Sequence, residues 1–191
     1  IPRPETELLV ERALVRLASG RPVRVLDLAC GSGAVALALA RERPLARIVA
    51  TDVAPAALDL TRRNASRLAA GNVEVRGGSW FEPVAGERFD LIASNPPYIA
   101  GDDPRVEPDV RRYEPPGALF AGATGLEALA TIAAGAAAHL YPGGWLVVEH
   151  GDRQGPEVRM LLGQAGLEQV ATTRDLAGLE RCTEGRAPGG A

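Results

Sequence analysis

A chain of 191 residues with 46% hydrophobic composition and a net charge of -3 suits one compact domain, and argues against a partner held mainly through phosphate contacts. No apolar run approaches membrane-spanning length, since the alanine-rich stretch after Leu126 is broken by Gly135 and His139. All 21 basic residues are arginine, which excludes Schiff-base lysine chemistry and a phosphate-loop lysine. The two cysteines, Cys30 and Cys182, have neither disulfide-framework nor metal-ligand spacing, so a reducing cytoplasm and no metal are expected; a monomer is expected as well.

Ile1, Pro2, Arg3 and Pro4 open the chain without a charged-then-apolar leader, so residues 1–22 read as a connecting loop and first helix that continue a segment upstream. Leu8, Leu9, Ala13, Leu14 and Leu17 recur at helical spacing, with Thr6 as the expected cap. Val23 to Leu28 is a buried-strand pattern that turns through Ala29, Cys30, Gly31, Ser32 and Gly33 into a helix. Strand, glycine turn and helix make a nucleotide-type cradle, because a side chain at the turn would keep a ligand from the backbone N–H groups that open the helix. Gly31 to Ala36 also fits a relaxed dinucleotide fingerprint.

Arg47 to Thr51 reads as the second strand, and Asp52 follows about twenty residues after the glycines, where a ribose diol would lie. Capping the next helix, Pro55 to Ala70, is its competing role; Leu58, Leu60, Ala65 and Leu68 should face inward there. Val73 to Arg76 is a third strand leading into Ser79 and Trp80, an aromatic placed to wall a purine.

The fourth strand, Phe89 to Ser94, must leave the sheet at Asn95-Pro96-Pro97-Tyr98, because neither proline has an N–H to give a ladder. The Asn95 side-chain oxygen and the Pro96 carbonyl become two acceptors at a strand end, with the Tyr98 ring as a flat wall beside them. Such a pair suits the two N–H groups of a primary amide or of an exocyclic base amine. Ala100 to Gly122 reads as a lid or recognition surface. A helix over Thr124 to Leu140, a strand over Trp145 to Val148, a helix over Arg153 to Ala165, and strands over Leu167 to Thr172 and Leu179 to Arg186 follow. His150 reads as structural, His139 as a surface residue, and residues 187–191 as a disordered tail. Strands alternating with helices predict a mostly parallel α/β sheet with its ligand at the carboxyl ends.

Pro2-Arg3-Pro4-Glu5-Thr6-Glu7, the glycine loop, Asn95 to Tyr98, Tyr113-Glu114-Pro115, Gly125-Leu126, Pro142 to Gly144, Glu149 with Gly151 and Gln154, and Asp175 with Gly178 and Arg181 run nearly end to end. In these residues the chain resembles the S-adenosylmethionine-dependent protein-glutamine N5-methyltransferases that modify class I peptide chain release factors. The resemblance implies a Rossmann-like, seven-stranded class I methyltransferase sheet with helices on both faces and an antiparallel last strand. It also implies a helical N-terminal substrate-recognition domain absent from this chain, S-adenosyl-L-methionine as cofactor, and the glutamine-bearing loop of a release factor as partner.

By the same resemblance Ala29, Cys30, Gly31, Ser32 and Gly33 would hold the methionine part of the cofactor, Asp52 the ribose and Trp80 the adenine region. Asn95, Pro96, Pro97 and Tyr98 would grip the glutamine, Asn95 also bordering the cofactor. Ala29 stands where the family often has glycine, and Ser79 where an acidic residue is usual. Three other readings stay open: amino methylation of a nucleic-acid base, which the acidic balance disfavours, an NAD-dependent oxidoreductase, and an inactive cofactor-binding module.

Overall fold

The computed structural model describes residues 5–101, 103 and 115–189. Seven strands form one sheet in the order β3-β2-β1-β4-β5-β7-β6. They are β1 (Arg24–Leu28), β2 (Arg47–Asp52), β3 (Val73–Gly77), β4 (Phe89–Ser94), β5 (Leu140–Glu149), β6 (Glu168–Arg174) and β7 (Glu180–Arg186). All pairs are parallel except those of β7, which lies antiparallel between β5 and β6. The helices are α1 (Glu5–Arg16), α2 (Ala34–Glu42), α3 (Pro55–Arg67), the single turn α4 (Pro116–Leu119), α5 (Glu127–His139) and α6 (Gly155–Gln164). None of the described helices is long and apolar enough to cross a membrane.

The central strands read as near-continuous apolar runs because both of their faces are covered. Alternate residues divide between two cores. Val25, Ile48, Ala50, Leu91, Ala93, Trp145 and Val147 pack under Leu9 and Ala13 of α1 and Ala36 and Leu39 of α2. Leu26, Val49, Ile92, Leu146 and Val148 pack under Leu129 and Ile132 of α5 and Val158 and Leu162 of α6. The two cores lie on opposite faces of the sheet, as the helix-on-both-faces expectation requires.

Several expectations need correcting. Thr6 lies inside α1 rather than capping it, and its hydroxyl serves another residue. The inward face of α3 carries Leu58 and Thr61, while Leu60 and Leu68 are exposed. That face meets backbone carbonyls, so a polar residue belongs there. β5 begins at Leu140, five residues before Trp145, because Leu140 already pairs with Phe89 of β4. The chain end is also ordered beyond β7: Ala187 is buried, its N–H donates to the Gly144 carbonyl, and the Gly143 N–H reaches the carbonyls of Ala187 and Pro188. Of the expected disordered tail, residues 190–191 lie outside the described residues, as do residues 1–4 and, of the expected lid, residues 102 and 104–114.

Candidate active site

β1 and β4 are neighbours although the chain reaches β4 only after travelling out to β3, so their carboxyl ends form the switch point of the sheet. The register pairs Leu28 with Ser94, and the Ser94 hydroxyl donates to the Leu28 carbonyl at 2.6 Å, tying the two strand ends together. The glycine loop leaves β1 and Asn95 leaves β4 at this seam.

The loop is built from backbone conformations that side chains disfavour. Ala29 has φ 62 and Gly31 has φ 56, and Gly33 caps α2 with φ 78. A Cβ placed on Gly31 would meet nothing within 4 Å, so the backbone there faces open space. The Gly31 N–H donates to Asp52 Oδ2 at 2.9 Å, and the Ala54 N–H donates to Asp52 Oδ1 at 2.9 Å. Asp52 therefore braces the loop and the entry to α3 together. From α3 the Thr61 hydroxyl donates to the Gly31 carbonyl at 3.0 Å, and Asn64 Nδ2 donates to the Ser32 carbonyl at 3.0 Å. These two residues escaped sequence reasoning because polar positions on a helix read as its solvent face.

Beneath the loop Asp27 is buried, with Oδ2 accepting the Ala36 N–H at 2.9 Å. Burial, with a smaller contribution from the Asp52 charge, pushes its carboxyl up to about 7. Burial likewise pushes the Cys30 thiol up to about 12, so it is an inert packing group. Cys182 is also buried and unpaired. Trp80 follows β3 in a turn with φ 44 and packs, partly buried, against the second core. Its loop is joined to the Asp52 loop by the Gly78 N–H, which donates to the Asp52 carbonyl at 3.1 Å. The structure thus brings Ala29 to Gly33, Asp52 and Trp80 along one rim of the sheet.

Asn95 sits at the end of β4, where Nδ2 donates to Thr6 Oγ1 of α1 at 3.0 Å. Among the described residues, no hydrogen bond reaches Asn95 Oδ1 or the Pro96 carbonyl. Pro96 is buried, while Asn95, Pro97 and Tyr98 are partly exposed. Tyr98 is gripped from β5 and the segment after it. Its hydroxyl donates to Glu149 Oε1 at 3.3 Å, and its carbonyl accepts Gln154 Nε2 at 3.0 Å. Gln154 also donates to the Gly125 carbonyl at 3.3 Å and accepts the Gly151 N–H at 2.9 Å. Gly125 must be glycine: its φ is +77, and a Cβ would fall 2.6 Å from the Tyr98 carbonyl oxygen. Downstream, the Ile99 N–H donates to the Leu119 carbonyl and the Ala121 N–H to the Ile99 carbonyl, so the chain folds back beside α4. Gly125, Glu149, Gly151 and Gln154 were visible in the sequence only as motif residues with no role, and here they converge on Tyr98.

Neither histidine belongs to this arrangement. His150 is fully buried, its ring nitrogens bonded to the Gly151 carbonyl and the Thr183 hydroxyl, each at 2.8 Å. Burial holds its pKa below the usual imidazole value. His139 is stacked on Phe81 with ring centroids 4.4 Å apart, and is half-buried rather than a plain surface residue. The packing of Phe81 against α5 explains the difference.

Residues 4–110 match the family model described as a methyltransferase small domain. A release factor glutamine methyltransferase of Xylella fastidiosa (strain Temecula1) is 57% identical over 189 residues, covering 99% of this chain and 69% of that protein. The protein of the same description from Escherichia coli (strain K12) is 46% identical, over 97% of this chain and 67% of its own length. Among solved structures, a release factor-specific protein-(glutamine-N5) methyltransferase of Alicyclobacillus acidocaldarius superposes with a TM-score of 0.57 at 27% identity, covering 98% of this chain and 94% of that one. These likenesses are to methyltransferases and displace the dinucleotide-dehydrogenase reading of Gly31 to Ala36. The chain belongs to the release factor glutamine methyltransferase family.

Proposed function

We propose that the protein transfers a methyl group from S-adenosylmethionine to the side-chain amide nitrogen, N5, of a glutamine in a peptide chain release factor. The observation that carries this reading is the pair of acceptors at the β4 exit, Asn95 Oδ1 and the Pro96 carbonyl, beside the glycine loop at the switch point of the sheet. The residues present fit the cofactor. The backbone at Gly31 opens onto free space that even a methyl side chain would occupy, and the Asp52 carboxylate, with one N–H on each oxygen, keeps lone pairs for a diol. Ala29 to Gly33 would hold the methionine end, Asp52 the ribose and Trp80 the adenine region. When bound, the cofactor supplies an electrophilic methyl group.

An amide nitrogen is a poor nucleophile because its lone pair is delocalised into its carbonyl. The chain's task is therefore alignment. Asn95 Oδ1 and the Pro96 carbonyl each accept one N–H of the glutamine amide, which aims the nitrogen and stabilises the positive charge it acquires. The Tyr98 ring keeps the amide plane in place, itself held by Glu149 and Gln154. The proton leaves afterwards, and no side chain is required as a strong base. Cytoplasmic action fits the two buried, unpaired cysteines.

The test is mass spectrometry of a release factor incubated with the protein and labelled S-adenosylmethionine. One methyl group on a glutamine side chain is the expected result. Label found on nucleic acid, or on no glutamine, would overturn the reading.

A further inference from the structure

We propose that Thr6 is a positioning residue: its hydroxyl holds the Asn95 carboxamide so that Oδ1, and not the NH2 group, faces the reacting amide. The inference rests on the glutamine-amide reading above. A carboxamide has nearly the same shape after a half-turn about its last torsion, so packing alone does not distinguish the two orientations. Hydrogen bonding on both arms does. Nδ2 donates to Thr6 Oγ1 at 3.0 Å, the hydroxyl acting as acceptor, and Oδ1 is left to accept the N–H groups of a ligand. In the turned orientation the NH2 group would meet the substrate's own N–H groups, donor against donor, and alignment would be lost.

Thr6 is suited to the task because it is rigidly mounted. Only 9% of it is exposed, and it sits on a helix whose Leu9 and Ala13 are fully buried. Further along, Arg12 and Arg16 both bond to Glu184 of β7. The first helix thus reaches across the sheet from β7 to the end of β4, and its Thr6 hydroxyl is the contact it makes with Asn95.

The experiment compares wild type with Thr6→Val, Thr6→Ala, Thr6→Ser, Asn95→Ala and the Thr6→Val/Asn95→Ala double variant. Two readouts are used: turnover on a release factor, and the NMR signals of the Asn95 side-chain NH2 pair, assigned as the pair missing from Asn95→Ala. Thr6→Val and Thr6→Ala should each lower kcat about tenfold, the effect of one lost hydrogen bond. They should leave the affinity for S-adenosylmethionine unchanged and shift the NH2 pair. Thr6→Ser should restore both, and Thr6→Val should cost nothing further once Asn95 is alanine. An unshifted NH2 pair, or the same kcat loss with and without Asn95, would overturn the inference. Wild-type protein that methylates no glutamine would sink the functional reading instead, and the NMR readout would still decide whether Thr6 orients Asn95.

Discussion

Replacing Glu184 tests how the first helix is held on the sheet. Glu184 is 1% exposed at the middle of β7 and accepts from two guanidinium groups, Arg12 through Nε at 3.2 Å and Nη2 at 2.8 Å, and Arg16 through Nε at 3.1 Å and a shorter Nη2 contact. Burial by itself would raise its pKa, but the bonds from Arg12 and Arg16 outweigh that and hold the carboxyl below the usual carboxylate range. Arg16 in addition lies over the Trp145 ring at 3.9 Å. Breaking a buried ion pair costs about 3 to 5 kcal/mol when the remaining charge stays buried. Here the arginine side chains are 24% and 29% exposed and can turn toward water, so Glu184→Ala should cost about 3 kcal/mol, at the low end. With a urea m-value of about 2 kcal/mol per molar, the midpoint should fall by about 1.5 M. Urea unfolding followed by circular dichroism at low and high salt is the assay. The loss should persist at high salt because the site is little screened. A midpoint shift below about 0.3 M, or one that vanishes in salt, would refute the assignment of α1 docking to this cluster.

Other consequences can be measured on the same protein. Asn95→Ala should lower turnover on the order of 10² to 10³ with little change in S-adenosylmethionine affinity, read by single-turnover rates and calorimetry; an unchanged rate would remove Asn95 from the chemistry. Asp27, held at about 7 in the fold against 3.8 unfolded, keeps a proton that the unfolded chain releases, so stability should fall as pH rises from about 4 to about 7. The full effect is up to about 4 kcal/mol. Asp27→Asn should flatten that slope in urea midpoints taken across the range, and an unaltered slope would show that another group carries it. Ala29 has φ 62, a conformation that costs a non-glycine residue about 1 to 2 kcal/mol. Ala29→Gly should therefore raise stability by about 0.5 to 1 kcal/mol after the extra chain entropy of glycine is subtracted, a gain that thermal unfolding would detect.

The parts of the fold legible in the sequence are those whose environment is uniform along the chain. β1, β2 and β4 lie inside the sheet with both faces covered, so their residues read as near-continuous apolar runs, interrupted by Asp27 in β1 and Asp90 in β4, and Phe89 to Ser94 is bounded to the residue. β7 reads poorly because its partners are remote. Glu184 looks like a surface charge until Arg12 and Arg16 arrive from about the other end of the chain. The inward face of α3 is hidden in the sequence for a similar reason: Thr61 and Asn64 face inward to satisfy loop carbonyls, and hydrophobic periodicity does not register that demand. His139 reads as a surface residue because Phe81, which covers it, comes from a different segment.

The site follows the same division. Residue types and spacing were enough to mark Asn95, Pro96, Pro97 and Tyr98 as an abrupt strand exit, since proline forbids continuation whatever lies nearby. What holds that exit still was not legible. Two consecutive prolines remove two backbone N–H donors, so the turn has few local hydrogen bonds with which to fix itself. Its rigidity has to be supplied from outside. The Asn95 side chain is bonded from α1, the Tyr98 hydroxyl from β5 and the Tyr98 carbonyl by Gln154, and Gly125 leaves the space that lets the chain approach the same carbonyl. Each contact joins segments far apart in sequence. A turn with abundant N–H groups would bond to itself and cover its carbonyls. By giving up donors, this one leaves the Pro96 carbonyl and Asn95 Oδ1 available to a ligand, and the long-range contacts supply the stiffness that the prolines forgo.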